Sequence, residues 1–243
     1  MKIGRLLFQL LFVAIACGSS CQSQARPGFD ARRLLTGTFH YRDYTRESPD
    51  GQSVIKVEKV PGGTSYVFSN VANGSSSQHW RALISPDFTP LSADLTFGSG
   101  AAARKVFSLS YQSAHVSGFF VPEPRVSGSA ARPVNESVAP DTVDQRVDWA
   151  AVMSLKKYIP SQRILFHVYD PKAGNSTVVA TVISHETIHV DAGTFQVARI
   201  VYQIAKSTGS EIFEVFVNSA APRFLVKEVF PNGLISELVS KEP

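Results

Sequence analysis

Cysteine is almost absent: the 243 residues hold two, Cys17 and Cys21, both near the start. Downstream of residue 21 there is therefore no disulfide framework, no cysteine zinc site and no thiol nucleophile. Long apolar runs are equally scarce. The longest, from Leu6 to Ala16, is too short to cross a bilayer as an ordinary helix. Nothing after residue 17 approaches spanning length, so the remainder is expected to be soluble. Strong charge is missing too. The formal net charge is +4, and two of the cations, Lys2 and Arg5, lie in the leading segment, leaving +2 for the rest. Such a balance gives little support to nucleic-acid binding. Neither a G-x-S-x-G elbow nor a phosphate loop is found, since "GSGAAAR" at 98–104 does not link a strand to a helix.

The first residues, "MKIGRLLFQLLFVAIACGSS", carry a charged start, an apolar core and small residues around Cys17, the pattern of an export signal. "AIAC" is similar to the lipobox of bacterial lipoproteins, in which the cysteine becomes an acylated first residue. Cys17 is the candidate lipidation site, with Cys21 a weaker second. Plain cleavage after Ala16 by the A-x-A pattern is the alternative. Residues 1–16 are thus expected to be a signal peptide and 17–33 a polar tether, with 34–243 an exported β-rich domain. The expected location is the periplasm, with a membrane anchor through the N-terminal lipid. Gly18 in place of an aspartate favours the outer membrane, by analogy with enterobacterial lipoproteins.

From Leu34 onward short alternating segments such as "SVIKVEKV", "RKVFSLSYQ", "RILFHVYD" and "FQVARIVYQIA" are separated by turn signals such as "PGG", "NGSSS", "DAG" and "PNG". Spacing of this kind predicts a mainly β fold, a single large curved antiparallel sheet forming an open or partial barrel. Two intervals depart from it. Residues 122–140 hold four prolines and little apolar periodicity, which reads as a long exposed loop. Residues 141–160 place Val143, Val147, Ala150, Ala151, Leu155 and Tyr158 at helical spacing, with Asp141 or Thr142 as cap and Pro160 as stop. One helix covering a face of the sheet is expected there.

The stretch "HETIH" at 185–189 matches the HExxH pattern of zinc metallopeptidases. Two ligating imidazoles converge when positions i and i+4 share a helix face. On a strand their Cα atoms stand about 13 Å apart, at roughly 3.3 Å per residue. Eight of the thirteen residues from 178 to 190 are β-branched, the class that favours strands. Asp191-Ala192-Gly193 reads as a three-residue hairpin loop, which would set His185 opposite Arg199. The segment is therefore read as a strand, with no metal ligands and no catalytic residues assigned. The alternative keeps His185 and His189 as zinc ligands and Glu186 as general base. The other histidines, at 40, 79, 115 and 167, lie scattered, Asp170 reads as turn chemistry, and the aromatics (Phe213 and Phe216 among them) read as packing.

"HVYDPKAG", "HETIHVDAGTFQVARIVY" and "APRFLVKEVFPNGLISEL" together resemble a bacterial family of exported proteins known only as a domain of unknown function. The resemblance rests on Tyr169-Asp170-Pro171, on Glu186 through Phe195 with its A-G-T-F hairpin, and on Pro222 through Leu234. It implies an exported, β-rich protein without established catalysis. Such sheets are similar, at the level of fold alone, to the open barrels of periplasmic lipoprotein carriers, whose concave face holds acyl chains. The expectation is a noncatalytic envelope protein, with no cofactor, whose curved sheet binds an apolar ligand or an envelope protein. A zinc hydrolase and a purely structural envelope component are the alternatives.

Overall fold

The computed structural model describes residues 27–46, 49–73, 77–124, 126, 128–206 and 209–242. The signal segment, Cys17 and Cys21 lie outside the described residues. The first half supplies β1 (Gly37–Tyr44), β2 (Pro49–Lys59), β3 (Tyr66–Asn73), β4 (Gln78–Ile84), β5 (Pro90–Phe97), β6 (Arg104–Gln112), β7 (His115–Phe120) and β8 (Arg132–Ser137). Then come β9 (Thr142–Asp144), a 3-10 turn at Gln145–Val147 and the helix α1 (Asp148–Met153). The second half supplies β10 (Arg163–Asp170), β11 (Gly174–Val190), β12 (Gly193–Lys206), β13 (Gly209–Asn218), β14 (Leu225–Val229) and β15 (Ile235–Glu242).

All fifteen strands belong to one sheet, in the order β8-β7-β6-β5-β4-β3-β2-β1-β15-β14-β13-β12-β11-β10-β9. Each half is a meander of neighbouring hairpins, and β1 joins them by pairing with β2 on one side and β15 on the other. Pairing is antiparallel throughout except for β9 on β10. The fold class expected from the alternation is therefore observed, as an open sheet rather than a closed barrel. Its inward rows follow the period of two: Phe39, Tyr41 and Asp43 on β1, Ile164, Phe166 and Val168 on β10, and Ile200, Tyr202 and Ile204 on β12 are buried.

The sheet ends, β8 and β9, do not pair with one another. A polar clamp draws this region together instead. The Asp144 carboxylate is wholly buried and accepts from Tyr111 Oη on β6 at 2.6 Å and from Arg146 Nη2 at 2.7 Å. Arg146 Nη1 also donates to Asp170 on β10 at 2.7 Å, and its guanidinium lies 4.5 Å from the Phe107 ring of β6. Burial works to lower the pKa of Arg146, but the carboxylates of Asp144 and Asp170 outweigh it and hold the side chain charged. A strand from each half is thus tied to one guanidinium by charge-assisted bonds.

Three expectations need correction. The helix expected over 141–160 is six residues long, Asp148–Met153, and every one of them is buried. It fills the interior instead of covering a face, since Trp149 to Met153 are apolar on every side. Its expected first turn is lost because Thr142 and Val143 pair with β10, while Asp144 caps the 3-10 turn by accepting from Arg146 N. Its C-terminal carbonyls are captured by two arginines: Arg33 Nη1 donates to Ser154 O at 2.7 Å, and buried Arg223 donates to the carbonyls of Met153, Leu155 and Lys156. Cations suit that end of a helix.

The expected loop at 122–140 contains β8, which pairs with β7 over residues 132–137. Pro133 is tolerated because β8 is an edge strand, where a missing N–H costs no ladder bond. Its neighbour β7 carries Gly118 at φ 145°, where an added Cβ would stand 2.0 Å from Ser108 O of β6, so glycine alone lets β7 approach β6. The expected tether also ends early. Phe29 and Ala31 are buried, and Phe29 packs edge-on against Phe166 at 5.2 Å between ring centroids.

Candidate functional site

The HETIH segment lies in β11, paired with β12 from Thr177 to Val190. The register differs by one from that expected. The turn is Asp191-Ala192 alone, with Val190 opposite Gly193, so His185 faces Ala198 and Arg199 faces Ser184. The physical reason is that Gly193, at φ 129°, enters the ladder as the first residue of β12. His185, Thr187 and His189 share the more exposed face, and Glu186 points to the other. His185 Nε2 meets the Tyr158 carbonyl at 2.9 Å, and His189 Nδ1 meets Thr194 Oγ1 at 2.7 Å. Among the described residues no group of three or more histidine, cysteine or acidic side chains gathers to hold a metal ion.

The A-G-T-F hairpin has a structural reading. Phe195 packs edge-on against Phe224 at 5.4 Å, Ala192 N donates to Leu238 O at 3.3 Å, and Arg42 pairs with Asp191 at 2.9 Å. The far end of the long β11–β12 hairpin thereby folds back over β14 and β15. In Tyr169-Asp170-Pro171, Asp170 Oδ1 accepts from Lys172 N and Ala173 N at 2.9 and 3.1 Å while Oδ2 takes Arg146. The turn chemistry expected of Asp170 is there, with the clamp in addition.

The chemistry-bearing place is elsewhere, on the concave side of the sheet. A cavity of about 370 Å3 lies between strands β1 to β6, the 3-10 turn and α1, and strands β10 and β12 to β15. That size falls within the range of small-ligand sites. Trp149 and Met153 of α1, with Phe39 and Phe224, seal the sheet on the other side of the helix. Apolar wall is given by Ile55, Trp80, Leu95, Phe107, Trp149 and Phe213, and Phe230 and Leu234 stand half-buried at the open side. Leu234 is set there by the NGL hairpin, in which Asn232 Oδ1 accepts from Leu234 N at 3.1 Å.

The inner floor is polar. Asp43 accepts from Ser53 Oγ at 3.1 Å and from Ser236 Oγ at 2.6 Å. Asp148 Oδ1 accepts from Trp149 N at 2.6 Å. One hydroxyl, Tyr202 Oη, lies 3.4 Å from Asp148 Oδ1 and 3.3 Å from Glu228 Oε1. Asp148 is 3 % exposed and Glu228 5 %. Burial pushes the Asp148 carboxyl up to about 7, against the pull of the Trp149 amide and Arg146. Burial likewise pushes Glu228 up to about 8, helped by the charges of Asp148 and Asp43. Tyr202 is driven well above its ordinary value by burial and by the same two carboxyls. Among the described residues Asp148 and Glu228 form no ion pair, and carboxyls so buried are costly unless they keep their protons.

Sequence reasoning found no polar constellation and missed this one. Its members come from α1, β1, β12 and β14, and Tyr41-x-Asp43, Ile200-x-Tyr202 and Val226-x-Glu228 each put a polar group on the parity of a buried row. That parity was the available signal.

The model of the family described as "Protein of unknown function (DUF3108)" matches residues 38–232. No curated protein matches the chain. Among solved structures, a β-barrel-like protein of domain of unknown function DUF1849 from Brucella abortus superposes with a TM-score of 0.54 at 9% identity, covering 86% of this chain and 98% of its own. A predicted exported protein with a YmcC-like fold from Bacteroides fragilis gives 0.39 at 10% identity, over 89% and 100% of the two chains. A predicted lipoprotein from Parabacteroides distasonis gives 0.34 at 13%, over 88% and 99%. At such identities the first of these likenesses speaks for the fold.

Proposed function

We propose, for a chain that belongs to the DUF3108 family of proteins of unknown function, a noncatalytic role in the cell envelope: holding a small ligand with an apolar part in its interior cavity. In this reading the chain is exported through residues 1–16 and anchored by a lipid on Cys17, in the outer membrane. The observation that carries it is the cavity of about 370 Å3, walled by aromatic side chains and floored by buried polar groups. A merely structural sheet gains nothing from such a space. Filling it with apolar side chains would contribute about 25 cal/mol for each Å2 taken from water, whereas the fold keeps two tryptophans facing it.

The test uses N-phenyl-1-naphthylamine, a neutral apolar fluorophore. Saturable binding at one probe per chain is expected, weakened at least tenfold by Ala72→Trp, which blocks the wall between β2 and β4 without touching the core. Absence of saturable binding, or equal binding by a folded Ala72→Trp chain, overturns the reading. The anchor is tested separately by labelling cells with an alkyne fatty acid, whose incorporation is lost in Cys17→Ser.

A further inference from the structure

Resting on the cavity as a ligand site, we infer that its occupant carries a cation: an aliphatic ammonium on an apolar body, its head against Glu228 and Asp148 and its body along the aromatic wall. Arg146 is the one basic side chain among the described cavity walls, and it is committed to Asp144 and Asp170. Its charge is felt at Asp148 from a distance, but neither Asp148 nor Glu228 forms an ion pair among the described residues.

Hydrogen bonding points to the same guest. Tyr202 has one hydroxyl proton and two carboxyl oxygens at almost equal reach, 3.3 and 3.4 Å, so it can serve only one of them at a time. Asp148 has a second donor in the Trp149 amide. Glu228 has none among the described residues, although it is 95 % buried and lines the cavity. A buried acid with no donor of its own is expensive to keep. An ammonium offers three donors and a positive charge, which is what this corner lacks.

The wall independently suits the same guest. Trp80, Trp149 and Phe230 line the space, and aromatic faces attract cations most strongly when water is excluded. A carboxylate or phosphate head would instead meet the carboxyls of Glu228 and Asp148 at close range. The half-buried rings and Leu234 at the open side then lie beside the apolar body. The ammonium can belong to a free amphiphilic amine, or to an ethanolamine lipid whose phosphate stays toward the open side, away from Glu228 and Asp148; the ammonium chemistry recognised is the same.

Calorimetry at pH 7.5 on the exported full chain carrying Cys17→Ser compares three octyl compounds differing only in head group: octylamine, octanol and octanoate. Octylamine is expected to bind at least tenfold more tightly than either of the others. Glu228→Gln, and independently Asp148→Asn, should erase that preference, while a far-ultraviolet circular dichroism spectrum like the parent's shows that the variants are folded. Octanol or octanoate binding as well as octylamine, or a preference that survives both substitutions, overturns the inference and leaves the cavity reading standing. Failure of all three to bind overturns both. Competition by dihexanoylphosphatidylethanolamine against octylamine assigns the ammonium to a lipid head, and its failure to compete assigns it to a free amine.

Discussion

The two buried carboxyls make stability fall as pH rises through neutrality. In the unfolded chain Asp148 and Glu228 release their protons near 3.8 and 4.5, whereas in the fold they hold them to about 7 and about 8. Between those limits the folded state binds more protons than the unfolded one, so stability declines with pH. The advantage of the neutral pair is complete at acid pH and gone above about 8. Each group contributes a slope of about 1.4 kcal/mol per pH unit, so from pH 5.5 to 8.0 the pair amounts to something on the order of 3–5 kcal/mol, after allowance for relaxation around the charges. The groups that face them set this value: Asp144 from β9, Arg146 from the turn, Tyr202 from β12, and Asp43 and Tyr41 from β1. Urea unfolding followed by tryptophan fluorescence should show the midpoint dropping by about 1 to 2 M over that range, at a slope near 3 kcal/mol per M. The double variant Asp148→Asn/Glu228→Gln should be flat in the same window and more stable than the parent at pH 8.0. A parent midpoint that is level or rises, or a double variant that tracks it in parallel, refutes the reasoning.

Breaking the clamp that bridges the two ends of the sheet is expected to be as costly. Arg146→Met leaves the wholly buried Asp144 carboxylate without its cation, a loss of about 3–5 kcal/mol by urea titration, part of which the added change Asp144→Asn should recover. The histidines of HETIH, by contrast, sit on the exposed side of a strand and each makes one hydrogen bond. His185→Ala and His189→Ala should each cost about 1 kcal/mol or less, and metal analysis by mass spectrometry should find the same zinc content in both variants as in the parent. One tightly held zinc per chain, lost in His189→Ala, would restore the hydrolase alternative.

The sheet was legible because its evidence is local. β-branched residues in alternation, bounded by glycine and proline turns, specify strands wherever they occur, and short connections specify antiparallel neighbours. The same locality explains the errors. Val143, Val147, Ala150, Ala151, Leu155 and Tyr158 do lie at helical spacing and are all buried, but burial reaches them by different routes. Val143 is covered as a strand residue on β10, Ala150 and Ala151 within the helix, and Tyr158 under the guanidinium of Arg223 at 4.1 Å. An apolar stripe records what must be covered, and tertiary partners decide the backbone that covers it. Likewise Pro133 signalled a loop, when an edge strand tolerates proline equally well.

The site was harder to see for a reason that follows from sheets in general. In "LVKEV" Lys227 and Glu228 look like one solvated pair, yet a strand sends neighbours to opposite faces. Lys227 goes outward to Glu237 at 2.8 Å, and Glu228 goes inward beneath Tyr202. In "HYRDY" the same parity sends His40 and Arg42 out and carries Asp43 inward after Phe39 and Tyr41. A carboxyl that continues an aromatic row is thus a stronger signal of a polar interior than any short motif here. It remains ambiguous on a single strand, because an open sheet can leave either end of such a row in water. Only the joining of β1 to β15, which brings β14 beside the first meander, and the insertion of α1 convert three separate parities into one floor. HETIH offered the opposite case, a recognisable word whose chemistry depends on a helix that its own β-branched neighbours forbid.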